Sequence, residues 1–186
     1  MSDNCFQLRS QESSGSYLAV QMSIAGDRFM TELMVTTPDE TFVVLQSVEG
    51  TADDVWPTSG ALQEVVPQSN EDGDFLAGVG AAGKSHWSTI VTSMPDKAGL
   101  VFDFACRIKS PANWLGSTYK VFGNVVTAEA KPDRIEFPTG RKTLVCRPLD
   151  ETKIELNADQ QICLSASFDA DKTPQTARWK YQFELQ

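Results

Sequence analysis

Apolar and polar residues alternate most cleanly at the end of the chain. Ala177, Trp179, Tyr181, Phe183 and Leu185 are interleaved with Arg178, Lys180, Gln182 and Glu184. A period of two places the first set on one side of a strand and the second on the other, so the segment predicts a strand with one buried and one wet face. The same pattern, less regular, predicts strands over Tyr17–Ile24, Phe29–Thr36, Thr41–Val48, Lys84–Ser93, Leu100–Lys109, Ser117–Glu129, Thr143–Cys146, Thr152–Leu156 and Gln161–Phe168. Thr37-Pro38-Asp39-Glu40, Pro95-Asp96-Lys97-Ala98 and Asn157-Ala158-Asp159-Gln160 are hairpin-length breaks made of turn residues. Asp169 to Thr176, which carries Pro174, reads as a longer hairpin loop. Connections this short join only antiparallel neighbours, because a parallel pair needs a crossover of about a dozen residues. The predicted fold is all-β, an antiparallel two-sheet β-sandwich, with a closed or partly closed β-barrel as the alternative.

Two segments stand outside the alternation. Residues 1–16 are polar and Ser-rich and read as a flexible N-terminal arm. The remaining residues, 17–186, suit a single β domain with one core. Within it, residues 50–74 read as a long loop excursion packed on one end of the sheets. It holds Trp56-Pro57, a weak apolar stretch, and the acidic turn Asn70-Glu71-Asp72-Gly73-Asp74.

The hairpin 84–109 sets a register. With Met94 opposite Gly99 across the turn, Trp87 faces Cys106, Thr89 faces Phe104 and Val91 faces Phe102. A slip of one residue would send Trp87 to the face away from Phe102 and Phe104. The opposite face then collects Lys84, His86, Ser88, Asp103, Arg107 and Lys109. This is a net-positive patch suited to an anionic ligand, with Arg107 as a fork-shaped donor and His86 beside it; read structurally, it is a solvated sheet face with a diagonal Asp103–Arg107 ion pair. His86 is the only histidine, so acid–base chemistry near neutral pH starts there. A Ser-His-Asp triad fails on spacing: Ser85 points to the opposite face, and Ser88 lies about 7 Å along the strand. Trp56 and Trp114 sit beside turn residues, where an indole stacks on a ligand ring or lids the end of a sandwich.

One string names a chemistry outright. Gly78 to Ser85 reads G-V-G-A-A-G-K-S, a full match to the phosphate-binding loop. In such a site Gly78 and Gly83 shape the loop, Lys84 reaches the phosphates, Ser85 holds Mg²⁺, and a helix follows. Here His86 to Ser93 follows, rich in β-branched and aromatic residues that fit a strand. The string therefore reads as a Gly-rich turn, and a nucleotide site with Asp103 as a magnesium ligand is the alternative. Asn70, Asp72 and Asp74 resemble a calcium loop, but its glycine is misplaced and Ala81 stands where the closing Glu belongs.

The net charge of −9 disfavours nucleic acid and anionic membranes as partners. Cys5, Cys106, Cys146 and Cys163 form no metal-binding pattern, and no cofactor is implied. A Cys146–Cys163 bridge stays open on sequence grounds. The N-terminus lacks an apolar signal-peptide core, so the expected location is cytoplasmic.

Three segments, Lys84-Ser85-His86-Trp87-Ser88, Phe102-Asp103-Phe104-Ala105-Cys106-Arg107 and Leu115-Gly116-Ser117-Thr118-Tyr119, together resemble an uncharacterised family of bacterial proteins of unknown function. The resemblance covers about the middle third of the chain. It implies a strand at Ser85–Ser88 and carries no activity.

The expected function is a non-catalytic cytoplasmic module that binds an unknown small anionic ligand or a protein. Its candidate residues are Lys84, His86, Ser88, Asp103, Arg107, Trp56 and Trp114. The alternatives are an NTP-binding protein using Gly78, Gly83, Lys84 and Ser85, and a small β-barrel enzyme using His86 and Asp103 as acid–base groups. Open sheet edges also allow a homo-oligomer.

Overall fold

The computed structural model describes residues 5–12, 14–122, 129–131 and 133–186. Fifteen strands run in chain order: β1 Cys5–Arg9, β2 Tyr17–Ala25, β3 Arg28–Thr36, β4 Thr41–Ser47, β5 Glu64–Asn70, β6 Gly73–Ala82, β7 Ser85–Ser93, β8 Gly99–Ile108, β9 Gly116–Val121, β10 Glu129–Lys131, β11 Arg134–Thr139, β12 Lys142–Leu149, β13 Lys153–Leu156, β14 Gln161–Ser165 and β15 Gln175–Leu185. They form two antiparallel sheets. The smaller has the order β1-β2-β3-β4-β9-β14-β13 and the larger β10-β11-β12-β15-β8-β7-β6-β5. Neither closes on itself, so the fold is a sandwich and not a barrel. No helix occurs among the described residues.

The period-two pattern is realised where it is strongest. Trp179, Tyr181 and Phe183 on β15 are fully buried, and Arg178, Lys180, Gln182 and Glu184 face outward. The hairpin β7–β8 takes the anticipated register, with His86 opposite Arg107, Trp87 opposite Cys106, Ile90 opposite Asp103 and Val91 opposite Phe102. Its inner face meets β15, where Phe104 stacks on Trp179 and Phe102 on Tyr181 at centroid distances of 5.3 and 5.2 Å.

Three expectations are corrected, and the Cys146–Cys163 bridge left open by the sequence is decided. The N-terminal arm is not loose over its length: Cys5–Arg9 pairs along β2, and Leu8 is buried. Two apolar residues, Phe6 and Leu8, are too few to announce a strand. The excursion is shorter than 50–74, because Glu64–Asn70 and Gly73–Ala82 form a hairpin. β5 is an edge strand with only Val65 buried and with Pro67 in its middle, and such strands carry little alternation. Residues 169–174 do not close a hairpin; they carry the chain from β14 in one sheet to β15 in the other. Cys146 and Cys163 lie on different sheets, and all four cysteines are free thiols. The strand anticipated over Ser117–Glu129 is β9 up to Val121, and 123–128 of that segment lie outside the described residues.

Polar bonds cross between the sheets inside the core. The Tyr119 hydroxyl of β9 meets the Tyr181 hydroxyl of β15 at 2.6 Å. The Trp179 indole N–H donates to the Ser117 hydroxyl at 2.9 Å. Tyr181→Phe leaves the Tyr119 hydroxyl buried without this partner and should cost about 1–3 kcal/mol. Replacing both tyrosines by Phe should cost clearly less than the sum of the two single changes. Urea unfolding of the two single variants and the double variant measures this directly; additive losses would show that the hydroxyls are not coupled.

Candidate functional site

The outer face of the larger sheet is built by register. Three cross-strand rows run from β5 and β6 through β7 and β8 to β15. One is Val66, Ala77, Ile90, Asp103 and Lys180. The next is Glu64, Val79, Ser88, Ala105 and Arg178, and the third is Ala81, His86, Arg107 and Thr176. The β5–β6–β7 half of this face is thus largely apolar, and its β8–β15 half is charged. Val79 is 51 % exposed and Ile90 48 % exposed, so two large aliphatic residues stand in water as diagonal neighbours on adjacent strands. Single exposed apolar residues are ordinary on protein surfaces; a contiguous group bordered by charge is what marks an interaction surface.

The charged half is mostly basic. Lys109 Nζ lies 3.1 Å from His86 Nε2. Arg107 Nη1 donates to Thr176 Oγ1 at 3.3 Å and has no carboxylate within ion-pair distance among the described residues. The diagonal Asp103–Arg107 ion pair is therefore absent; Asp103 lies instead 3.9 Å from Lys180 Nζ. Both partners are exposed, and such a pair contributes about 0–1 kcal/mol. Lys84 is exposed at the β6–β7 turn, next to this patch.

The other sequence candidates do not join this face. Trp56 packs against Trp87 with ring centroids 5.8 Å apart, and Trp87 points into the core, so Trp56 lies across the sheet from His86. Trp114 is half-buried, with its ring edge over Gly116 of the smaller sheet. Both indoles lid the sandwich. His86 and Asp103 stand four rows of pairing apart, about 13 Å at the strand rise, too far to act on one proton.

The phosphate-loop alternative fails on local structure. Gly78 lies within β6, Ser85 opens β7, and the two strands are joined by the turn at Gly83 and Lys84. Ser85 is fully buried and its hydroxyl accepts the Lys109 N–H, so it is not presented to a metal-bound phosphate. Packing accounts for the glycines. A Cβ at Gly78 would lie 2.9 Å from Thr89 Cγ2 and 3.1 Å from Leu62 Cδ1, and Gly83 holds the left-handed turn at φ +56°.

One polar cluster gave no sequence signal. Arg28 follows the turn residues Gly26 and Asp27 and reads as exposed, yet it is 1 % exposed. Its Nε and Nη2 grip the Asp27 carboxylate at 2.9 and 3.0 Å, and Nη2 also donates to the Thr51 carbonyl at 2.8 Å. This ties residues 48–63 to the start of β3. Arg28 Nη1 and Glu49 Oε2 are both buried without a hydrogen-bond partner. No group of three or more His, Cys, Asp or Glu is arranged to hold a metal ion among the described residues.

A groove of about 350 Å³ borders the charged half of the outer face. Asp103, Arg178 and Lys180 line its sheet side, and Asp150, Glu151 and Ser167 line its loop side. No protein-family model and no curated protein matches the chain.

Burial holds the Glu49 carboxyl up at about 7, from the usual 4.5, against the lowering effect of the Ser47 hydroxyl and the Arg28 charge. The native carboxyl therefore keeps its proton where the unfolded one has lost it. Its contribution to stability is complete below the unfolded value and is lost as pH rises through the native one. Glu49→Gln should remove this slope. The variant should match the wild type at about pH 4.5 and exceed it by about 1–3 kcal/mol at about pH 8. Urea titrations of both proteins at the two pH values check this; parallel pH profiles would refute it.

Proposed function

We propose that this chain is a protein-binding β module and not an enzyme, with the outer face of the larger sheet as its recognition surface. The observation that carries the reading is the composition of that face: Val66, Val79 and Ile90 adjoin His86, Arg107, Lys109 and Arg178 on a chain of net charge −9. An apolar patch with a basic border fits a polypeptide that presents apolar side chains flanked by carboxylates. The apolar contact supplies affinity, and the charges supply orientation and on-rate. The face is broad and open, which suits a macromolecule better than a small anion. The four free thiols support a reducing, cytoplasmic setting.

Peptide-display selection on the immobilised protein tests this. The selected sequences should combine Asp or Glu with large apolar residues, and their binding should weaken with added salt. Ile90→Lys with Arg107→Glu should reduce it at least tenfold, or about 1.4 kcal/mol, with an unchanged melting temperature. Selection of sequences without acidic residues, or equal binding by the double variant, would overturn the reading.

A further inference from the structure

The border of this face contains an interrupted strand pairing. β15 is flanked by β8 along residues Gln175 to Glu184, but by β12 only from Lys180 onward. In an antiparallel strand, a residue sends its N–H and C=O to the same side, and the sides alternate. Gln186 exchanges both bonds with Thr143 at the foot of β12, whereas Leu185 donates to Ala98 beside β8. Even-numbered residues of β15 therefore address the β12 side.

The ladder stops at a definite place. The Leu149 carbonyl turns away to accept the Thr152 N–H at 3.1 Å. The Lys180 N–H is taken by the Thr152 hydroxyl at 2.7 Å. The next two residues on that side, Arg178 and Thr176, have no neighbouring strand there among the described residues. Both residues line the groove of about 350 Å³, and on that side their main-chain donors and acceptors have no backbone partner among the described residues. That volume lies at the lower end of the range for ligand pockets, roughly 300–1,000 Å³, and its floor is a strand edge.

We propose that this half-edge, Thr176 to Arg178, receives an extended segment of a partner polypeptide as an added strand, in line with β12. The unpaired N–H and C=O groups of Thr176 and Arg178 supply the main-chain recognition of strand addition. Side-chain preference comes from charge. Asp150 and Glu151 stand at the β12 end of the groove, and Arg178, with Arg107 held at Thr176, stands along the strand. The segment that fits carries a basic residue near Asp150 and Glu151 and an acidic residue near Arg178. Three of the four full sheet edges are poorer receptors, since β10 and β13 are short and β5 contains Pro67. This inference rests on the protein-binding reading and specifies how the partner is held.

The test uses amide hydrogen exchange on the ¹⁵N-labelled protein. In the free protein Thr176 and Arg178 should exchange fast, while Ala177 and Trp179, paired to β8, should be slow. Blocked pentapeptides of alternating Val and Thr, with Glu at one end and Lys at the other in both orders, are then titrated in. At least one order should slow exchange at Thr176 and Arg178 and shift their resonances. N-methylation of the peptide main chain should weaken binding at least tenfold, and so should Arg178→Pro, whose folding is checked by retained protection of Ala177 and Trp179. The peptide result stands by itself if that variant does not fold. Slow exchange at Thr176 and Arg178 in the free protein, no effect of either peptide at millimolar concentration, or equal binding of the N-methylated peptide would each overturn the proposal. If Ile90→Lys with Arg107→Glu abolishes binding of display-selected peptides while N-methylation of those peptides has no effect, the face binds without strand addition. That outcome sinks this inference and leaves the broader reading standing.

Discussion

The hydrogen bond between the Tyr119 and Tyr181 hydroxyls fixes how the two sheets face each other. Apolar burial is non-directional and would tolerate sliding of one sheet over the other. A buried hydroxyl tolerates very little, because losing its partner costs it the desolvation of a polar group. Burial also raises both phenols above their ordinary range, so the pair stays a neutral donor and acceptor. The Trp179–Ser117 bond, two residues away on each strand, gives a second fixed point between β15 and β9. Two directional bonds between the same pair of strands set position as well as separation.

That constraint reaches the surface through the pleat. With Trp179 and Tyr181 held inward, Arg178 and Lys180 must point outward, since a one-residue slip would exchange the two sets. β8 is then aligned by ring stacking on β15, and β7 by β8, so Asp103, Arg107, His86 and Ile90 take their outward rows. The basic patch on an acidic chain is thus a consequence of core register. It also explains why the interruption beside β15 is stable. β15 is secured from the inside and along β8, so it does not need β12 along its first half.

Legibility in the sequence followed the strength of alternation. The inward and outward residues of β15 and the register of the β7–β8 hairpin could be read from the sequence, with strand ends within two residues, because large aromatics alternate with polar residues there. The charged outer face was legible for the same reason, as was its separation from any Ser-His-Asp chemistry. β1 and β5 were not, because an edge strand needs only one or two buried side chains. The aliphatic half of the face was missed as well. Val66, Ala77 and Val79 fall in strands that the alternation did not announce, so nothing placed them beside Ile90. The roles of Arg28 and Glu49 were invisible because a loop about twenty residues downstream buries Arg28, and residue type alone then argues for exposure.

The glycine string from Gly78 to Ser85 shows why spacing alone does not define chemistry. A phosphate loop uses small residues so that backbone N–H groups can approach an anion. Here a small residue at Gly78 admits Leu62 from the strapped segment against the inner side of β6, and Gly83 serves a two-residue hairpin turn. Close approach is required in both cases, by a ligand in one and by the protein's own chain in the other. What separates them is the element that follows. A helix would leave its first N–H groups free for phosphate, whereas β7 commits its backbone to β6 and β8. By the same reasoning, main-chain groups available for binding are found where pairing stops short, and in the larger sheet that place is the first half of β15.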